Sequence, residues 1–133
     1  MRPIILVSLA ALAATGCTAT TPSPPTAAQQ ASLDEQLAGR TEGKPVSCVD
    51  QFLMQGNKGY GEGTILFEGK SKSIVWLNHP PTGCPELNQF RALRSRTPTN
   101  HLCRGDIVTI FDPTSGIEYG SCGLGDFVPY RRG

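Results

Sequence analysis

Beyond residue 45, most hydrophobic residues of this chain fall in short runs bounded by glycine, proline, asparagine or serine. The clearest pair of runs lies at 64–68 and 73–77, where β-branched and aromatic residues dominate. Only the four residues from Gly69 to Lys72 separate them. Two strand-like runs joined by a short glycine-containing segment predict a β-hairpin.

The same pattern predicts further strands, at 46–52, 92–96, 106–112, 117–121 and 127–130. Residues 112–116 (Asp-Pro-Thr-Ser-Gly) predict a tight turn, and the glycine- and asparagine-rich segment 55–63 predicts a loop. Pro85 suits the first position of a helix, so residues 85–90 predict one helical turn. About six short strands joined by tight turns are typical of a mainly β fold, a small disulfide-stapled β-barrel or failing that a sandwich.

One short helix is predicted before the strands. Ser32 and Glu35 have the spacing of a capping box, and Leu33 and Leu37 are placed to share one face. Gly39 can end the helix in a left-handed conformation. We expect this helix to dock at the edge of a single β-rich domain, residues 32–133.

The first residues have the pattern of an export signal. Arg2 gives a positive start, and residues 3–14 are apolar. A stretch of this length is shorter than the about 20 residues needed to cross a bilayer, but it suits the hydrophobic region of a signal peptide.

This segment ends in Leu12-Ala13-Ala14-Thr15-Gly16-Cys17, which resembles the lipobox of bacterial lipoproteins. The resemblance implies that residues 1–16 are removed and that the Cys17 thiol receives diacylglycerol. Ala14 stands where that family prefers an aliphatic residue. The alternative is an ordinary signal peptide cut near residues 11–14. Thr18, which is not acidic, favours the outer membrane over the inner one, with the domain facing the periplasm.

Residues 17–31 are predicted to form a disordered tether carrying the lipid. They contain no charged residue, no large apolar residue and three prolines. Such a segment buries too little surface to offset the entropy lost on ordering.

Net charge limits the classes of partner. Lys plus Arg number 12 against 11 Asp plus Glu, and loss of Arg2 with the signal peptide leaves 11 of each. A neutral domain lacks the basic surface expected for nucleic-acid binding. The expected partners are the membrane, through the lipid, and an envelope protein or other acidic partner.

The cysteine count is odd. Of five cysteines, Cys17 would be lipidated, which leaves Cys48, Cys84, Cys103 and Cys122 for two disulfide bonds in an oxidising compartment. Four cysteines allow three pairings, and sequence alone does not choose among them. Position along the chain favours Cys84 with Cys103 and Cys48 with Cys122.

A metal site is the competing interpretation of these cysteines. His79 and His101 lie near Cys84 and Cys103. Zinc sites, however, use paired ligands at spacings such as C-x₂₋₄-C, and the chain has no such pair. We therefore expect no metal and no cofactor.

No catalytic constellation is recognisable, so we expect no enzymatic activity. Arg104-Gly105-Asp106 spells an adhesion tripeptide but leads into an apolar run, which favours a strand-entry turn. Asp106 and Asp126 would suggest acid–base chemistry only if they met a histidine in one cleft. Four arginines, Arg91, Arg94, Arg96 and Arg104, form a local basic cluster. They are either a solvated face or a contact patch for an acidic partner or a lipopolysaccharide phosphate.

The stretch from Gly63 to Tyr130 resembles a family of small exported proteins of Gram-negative bacteria, a domain family of unknown function. The most specific motifs are Cys103-Arg104-Gly105-Asp106 and Cys122-Gly123-Leu124-Gly125-Asp126-Phe127. The resemblance implies an exported, single β-rich domain and brings no activity or ligand.

These observations predict a membrane-tethered envelope lipoprotein with a non-enzymatic binding or structural role. The alternative is a small-ligand-binding or inhibitor module of the periplasm. A deep apolar pocket would favour the alternative, and a filled interior would favour the binding module.

Overall fold

The computed structural model of the chain describes Gly16 and residues 21–133. Cys17 and the predicted signal peptide, apart from Gly16, lie outside the described residues. Among the residues that are described, no helix is long and apolar enough to cross a membrane.

One α-helix, one 3-10 turn (Gln51–Leu53) and ten strands make up the described chain. The helix is α1 (Ala27–Leu37). The strands are β1 (Arg40–Glu42), β2 (Cys48–Asp50), β3 (Met54–Gly59), β4 (Ile65–Gly69), β5 (Ile74–Asn78), β6 (Ala92–Ser95), β7 (His101–Cys103), β8 (Ile107–Phe111), β9 (Glu118–Gly123) and β10 (Phe127–Arg132).

The strands form three antiparallel sheets. A five-stranded sheet has the order β1-β10-β5-β4-β3, a three-stranded sheet the order β6-β8-β9, and β2 pairs with β7. One face of the large sheet packs on the two smaller sheets, and α1 covers the other face. The predicted mainly β class is confirmed. Of the two predicted architectures, the sheets adopt a sandwich-like arrangement and do not close into a barrel.

The predicted hairpin at 64–77 is confirmed as the centre of the large sheet. Strands β4 and β5 pair antiparallel, with Phe67 opposite Trp76. Phe67 and Trp76 belong to the core between the sheets, whereas Leu66 and Leu77 belong to a second core beneath α1. Because both faces of these strands are covered, their sequences are apolar without alternation.

The helix begins earlier than predicted. Thr26 is its N-cap: the Gln29 backbone N–H donates to Thr26 Oγ1 over 3.2 Å, and the Thr26 N–H donates to Gln29 Oε1 over 2.9 Å. Ser32 therefore lies inside the helix, and its predicted capping role is wrong. Glutamine completes a capping box as well as glutamate does. Leu33 and Leu37 face the second core together, as predicted.

The predicted disordered tether is wrong where the structure describes it. Five of its residues, from Ala27 to Ala31, are helical. The Ser23 N–H donates to the Glu62 carboxylate over 3.1 Å, and the Glu62 N–H donates to the Ser23 carbonyl over 3.2 Å. A Cβ on Gly61, whose φ is +73°, would lie 2.8 Å from Pro25 N. Glycine thus allows the proline segment to pack against the domain.

Two other local predictions are wrong in whole or in part. Of the segment predicted as a loop at 55–63, residues 55–59 belong to β3, which pairs with β4, and residues 60–63 lie outside any strand, as predicted. A Cβ on Gly59 would lie 2.6 Å from Leu87 Cγ, so this glycine permits close packing within a strand. Residues 85–90 form turns in place of the predicted helical turn. Strands β1 and β7 are additional to those predicted.

Both predicted disulfide pairings are wrong, although all four cysteines are bonded. The bonds are Cys48–Cys103 and Cys84–Cys122. Cys48 and Cys103 stand directly opposite each other in the β2–β7 pair, with their Cα atoms 4.0 Å apart. The pairing of β2 with β7 therefore decides which cysteine bonds Cys48. Cys122 on β9 then bonds Cys84, which lies in the turn region after β5.

Candidate binding surface

Three of the four predicted contact arginines meet on the three-stranded sheet. We define the arginine surface as Arg91, Arg94, Arg96, Phe111, Glu118 and Tyr119. The Arg94 guanidinium lies 4.3 Å from the centre of the Phe111 ring. Arg94 and Arg96 each place a guanidinium nitrogen 3.5 Å from the same oxygen of Glu118. Because two guanidinium groups share one carboxylate oxygen, most of their N–H donors remain available.

Arg91 is held more firmly than its neighbours. Its Nη1 donates to the Glu86 carboxylate over 2.9 Å and also to the Glu86 backbone carbonyl. Its guanidinium carbon lies 3.5 Å from the centre of the Tyr119 ring. The hydrogen bond to Glu86 raises the pKa of Arg91 above its usual value. Glu86 has a φ of +69°, which is unusual for a residue other than glycine.

Large apolar side chains stand exposed beside these arginines in sequence or on the same sheet. Phe90, Ile107 and Ile117 are 76%, 61% and 55% exposed. Exposed apolar groups combined with stacked arginine and aromatic side chains are typical of protein-binding surfaces. Sequence reasoning missed Glu118 and Tyr119. They lie on β9, more than twenty residues after the arginines, and only the sheet order, which places β6 and β9 on either side of β8, brings these side chains within reach.

Arg104 does not join the arginine surface. Its nearest acidic group is Asp126, with an Nη1–Oδ1 distance of 3.3 Å. Gly105 has a φ of +86°, and the Asp106 carboxylate accepts a hydrogen bond of 2.7 Å from the Cys103 N–H. Residues 104–106 thus form the predicted turn at the entry to β8.

The two aspartates and two histidines considered for acid–base chemistry each have a local structural contact. Asp106 and Asp126 each have the structural role above. The His79 ring contacts the Gly63 carbonyl at 3.2 Å, and His101 stands opposite Asp50 in the β2–β7 pair. No group of three or more His, Cys, Asp or Glu side chains within the described residues could hold a metal ion.

A cleft of about 220 Å³ opens between β3 and the smaller sheets. The apolar residues along it are Met54, Phe67, Leu93, Leu102 and Val108. Several of its polar groups are already bonded, since Gln51 contacts Thr97 and Ser95, and the Asn57 amide pairs with the Leu93 backbone. Pockets for drug-sized ligands are typically about 300–1,000 Å³, so this cleft is smaller than that range.

Comparison of the chain with protein-family models, with curated proteins and with solved structures finds no match. The resemblance to a family of small exported proteins therefore stays a prediction.

Proposed function

We propose that the chain is an exported lipoprotein, anchored to the membrane through Cys17, whose β-domain binds an acidic partner protein in the cell envelope. The first support comes from the cysteines. Two disulfide bonds use Cys48, Cys84, Cys103 and Cys122. Disulfides fit a chain exported to an oxidising compartment. They leave Cys17 as the one cysteine for lipidation, at the end of the lipobox-like segment.

In this proposal the domain lies close to the membrane. Pro22 packs near Gly83, where an added Cβ would lie 2.6 Å from the proline ring. The chain from Cys17 to Pro22 spans at most roughly 17 Å, at about 3.4 Å per residue. The lipid would therefore hold the domain against the headgroup region, within reach of other envelope proteins.

The observation that carries the binding role is the sharing of Glu118 by Arg94 and Arg96. The Glu118 carboxylate orients both guanidinium groups, the Phe111 ring also orients that of Arg94, and both keep unused donors. Carboxylates of a partner can take these donors in bidentate pairs. The exposed Phe90 and Ile117 side chains would supply apolar contact beside them.

Lipid attachment is tested by growing cells with an alkyne-tagged fatty acid. The full chain should incorporate the label and fractionate with membranes, whereas Cys17→Ser should do neither. Thr18→Ser, which keeps the cysteine, serves as the matched control. Equal label on the wild type and on Cys17→Ser would refute the anchor.

Partner binding is tested by cross-linking in envelope fractions. An Arg94→Gln/Arg96→Gln variant should lose a cross-linked protein that the wild type retains. Arg104→Gln, which removes an exposed arginine outside the arginine surface, should retain it. Because the contact is between charges, raising the salt concentration should weaken it. Equal capture by all three proteins would refute the role of this surface. Retention on lipopolysaccharide alone, lost in the Arg94→Gln/Arg96→Gln variant, would reassign the partner to a phosphate-bearing lipid.

A further inference from the structure

A second cleft, of about 260 Å³, lies on the helix-covered face of the large sheet, beyond the C-terminal end of α1. Three basic side chains line it: Arg40, Lys72 and Arg132. Glu68 is the one carboxylate in its lining. The cleft thus carries three positive charges against one negative charge, a net charge of +2.

Arg40 is fixed in place by two backbone carbonyls. Its Nε donates to the Gln36 carbonyl over 2.8 Å, and its Nη2 donates to the Lys72 carbonyl over 2.9 Å. Its remaining nitrogen, Nη1, is buried and has no hydrogen-bond partner. Buried donors normally find an acceptor, because an unpaired one loses the hydration that it had in water. The Gln36 and Lys72 carbonyls account for two of the three guanidinium nitrogens and leave the third without an acceptor.

The basic groups of this cleft also repel one another. Arg40 and Arg132 stand directly opposite each other in the β1–β10 pair. Like charges in such cross-strand positions are destabilising. Burial, and secondly the charge of Arg132, lowers the pKa of the Arg40 guanidinium below its usual value. Every ion pair within residues 21–133 uses Arg91, Arg94, Arg96 or Arg104, so none relieves this repulsion.

We propose that this cleft is a binding site for a phosphate group, which Arg40, Lys72 and Arg132 would hold together. A phosphate monoester carries close to two negative charges and several strong acceptor oxygens. Three cations that line one cleft match that charge, and a phosphate bound beside Arg40 would offset its repulsion with Arg132. A single carboxylate carries one charge and would leave the net charge of the cleft uncompensated. The site lies on a different face from the arginine surface and does not depend on the proposed partner.

The test uses the full-length protein in a non-ionic detergent, titrated with inorganic phosphate in a calorimeter at low salt. The wild type should bind phosphate, and Lys72→Gln and Arg132→Gln should each weaken binding by at least about tenfold, the loss of one charge-assisted hydrogen bond. Lys70→Gln and Arg131→Gln remove the neighbouring charges that do not line the cleft, and they should bind like the wild type.

Arg40→Gln should abolish binding, but Arg40 also bonds the end of α1. If the Arg40→Gln variant is unstable, the comparisons of Lys72→Gln with Lys70→Gln and of Arg132→Gln with Arg131→Gln still test the proposal. Absence of phosphate binding by the wild type would overturn the proposal. So would equal weakening by the matched controls, which would indicate a response to net charge alone.

The phosphate could be free in solution or belong to a lipid. Flotation with phosphatidylcholine vesicles, with and without phosphatidic acid, separates these sources when both proteins carry Cys17→Ser, so that the proposed lipid anchor does not itself bind the vesicles. The protein with Arg132 intact should bind the vesicles with phosphatidic acid more tightly than Arg132→Gln does if a lipid headgroup occupies the site. Phosphate binding in the calorimeter together with equal flotation of the two proteins would assign the site to a soluble phosphate ester.

Discussion

Cys84–Cys122 should contribute more to the free energy of unfolding than Cys48–Cys103. Loop length alone predicts the opposite order. Cys48–Cys103 closes 55 residues and Cys84–Cys122 closes 38. The loop-entropy relation gives about 4.2 and about 3.9 kcal/mol respectively. By loop entropy alone, removing Cys48–Cys103 would lower the free energy of unfolding slightly more than removing Cys84–Cys122 would.

The burial of Cys84 and Cys122 reverses the order of the two stability losses. Cys84 and Cys122 are 0% and 6% exposed and belong to the core between the sheets, whereas Cys48 is exposed. Replacing each buried cysteine by alanine removes roughly 1 kcal/mol of apolar burial, with sulfur treated as slightly larger than a methylene. We therefore expect a loss of about 5–6 kcal/mol for Cys84→Ala/Cys122→Ala and about 4 kcal/mol for Cys48→Ala/Cys103→Ala. The larger loss is comparable with the whole stability of a small domain.

Guanidinium denaturation measures both losses. Trp76 is the single tryptophan and is buried, so its fluorescence reports unfolding. A Cys48→Ala/Cys103→Ala variant that is the less stable of the two would refute the burial argument.

The pairing itself can be tested by tryptic mapping without reduction. Lys58, Arg91 and Arg104 place the four cysteines on separate tryptic peptides. A peptide joining Cys48 to Cys84 or to Cys122 would contradict the β2–β7 pairing that underlies both values.

The remaining predictions concern single side chains, each measured by chemical denaturation. Thr26→Ala should lower the free energy of unfolding by about 1 kcal/mol, because the helix loses its N-cap, while Ser32→Ala should change it by less than about 0.5 kcal/mol; equal losses would place the cap elsewhere. Asn78→Ala should cost about 2–3 kcal/mol, because the buried amide exchanges two hydrogen bonds with Gly125; a loss below about 1 kcal/mol would contradict this bonding. Two backbone N–H groups lower the pKa of Glu62, so its carboxylate stabilises the fold above the unfolded-state pKa and loses this contribution as pH falls through the folded-state pKa. Glu62→Gln should flatten the decline of stability in acid, and an unchanged decline would contradict this role.

Several features of this protein follow from the sequence alone because they depend on neighbouring residues. The hairpin of β4 and β5 follows from two apolar runs at a fixed separation. The turn at 112–116 follows from Asp112, whose carboxylate accepts hydrogen bonds from the N–H groups of Thr114 and Ser115. The number of cysteines, with the export-like segment before them, was sufficient to predict that four would be bonded.

Only the tertiary structure decided which distant residues meet. Cys48 bonds Cys103 because β2 pairs with β7, and no local pattern encodes that pairing. Segment 55–63 has the composition of a loop, yet residues 55–59 pair with β4 as part of a strand, and Gly59 permits close contact with Leu87.

The two candidate sites also depend partly on local sequence and partly on tertiary structure. Arg94 and Arg96 were visible in the sequence as a local cluster, but their partner Glu118 lies on another strand. The cleft proposed to bind phosphate could not be predicted from the sequence, because Arg40, Lys72 and Arg132 are far apart in the chain. The physical reason is common to both: short-range hydrogen bonds and side-chain spacing act within a few residues, whereas sheet order depends on how the whole core packs.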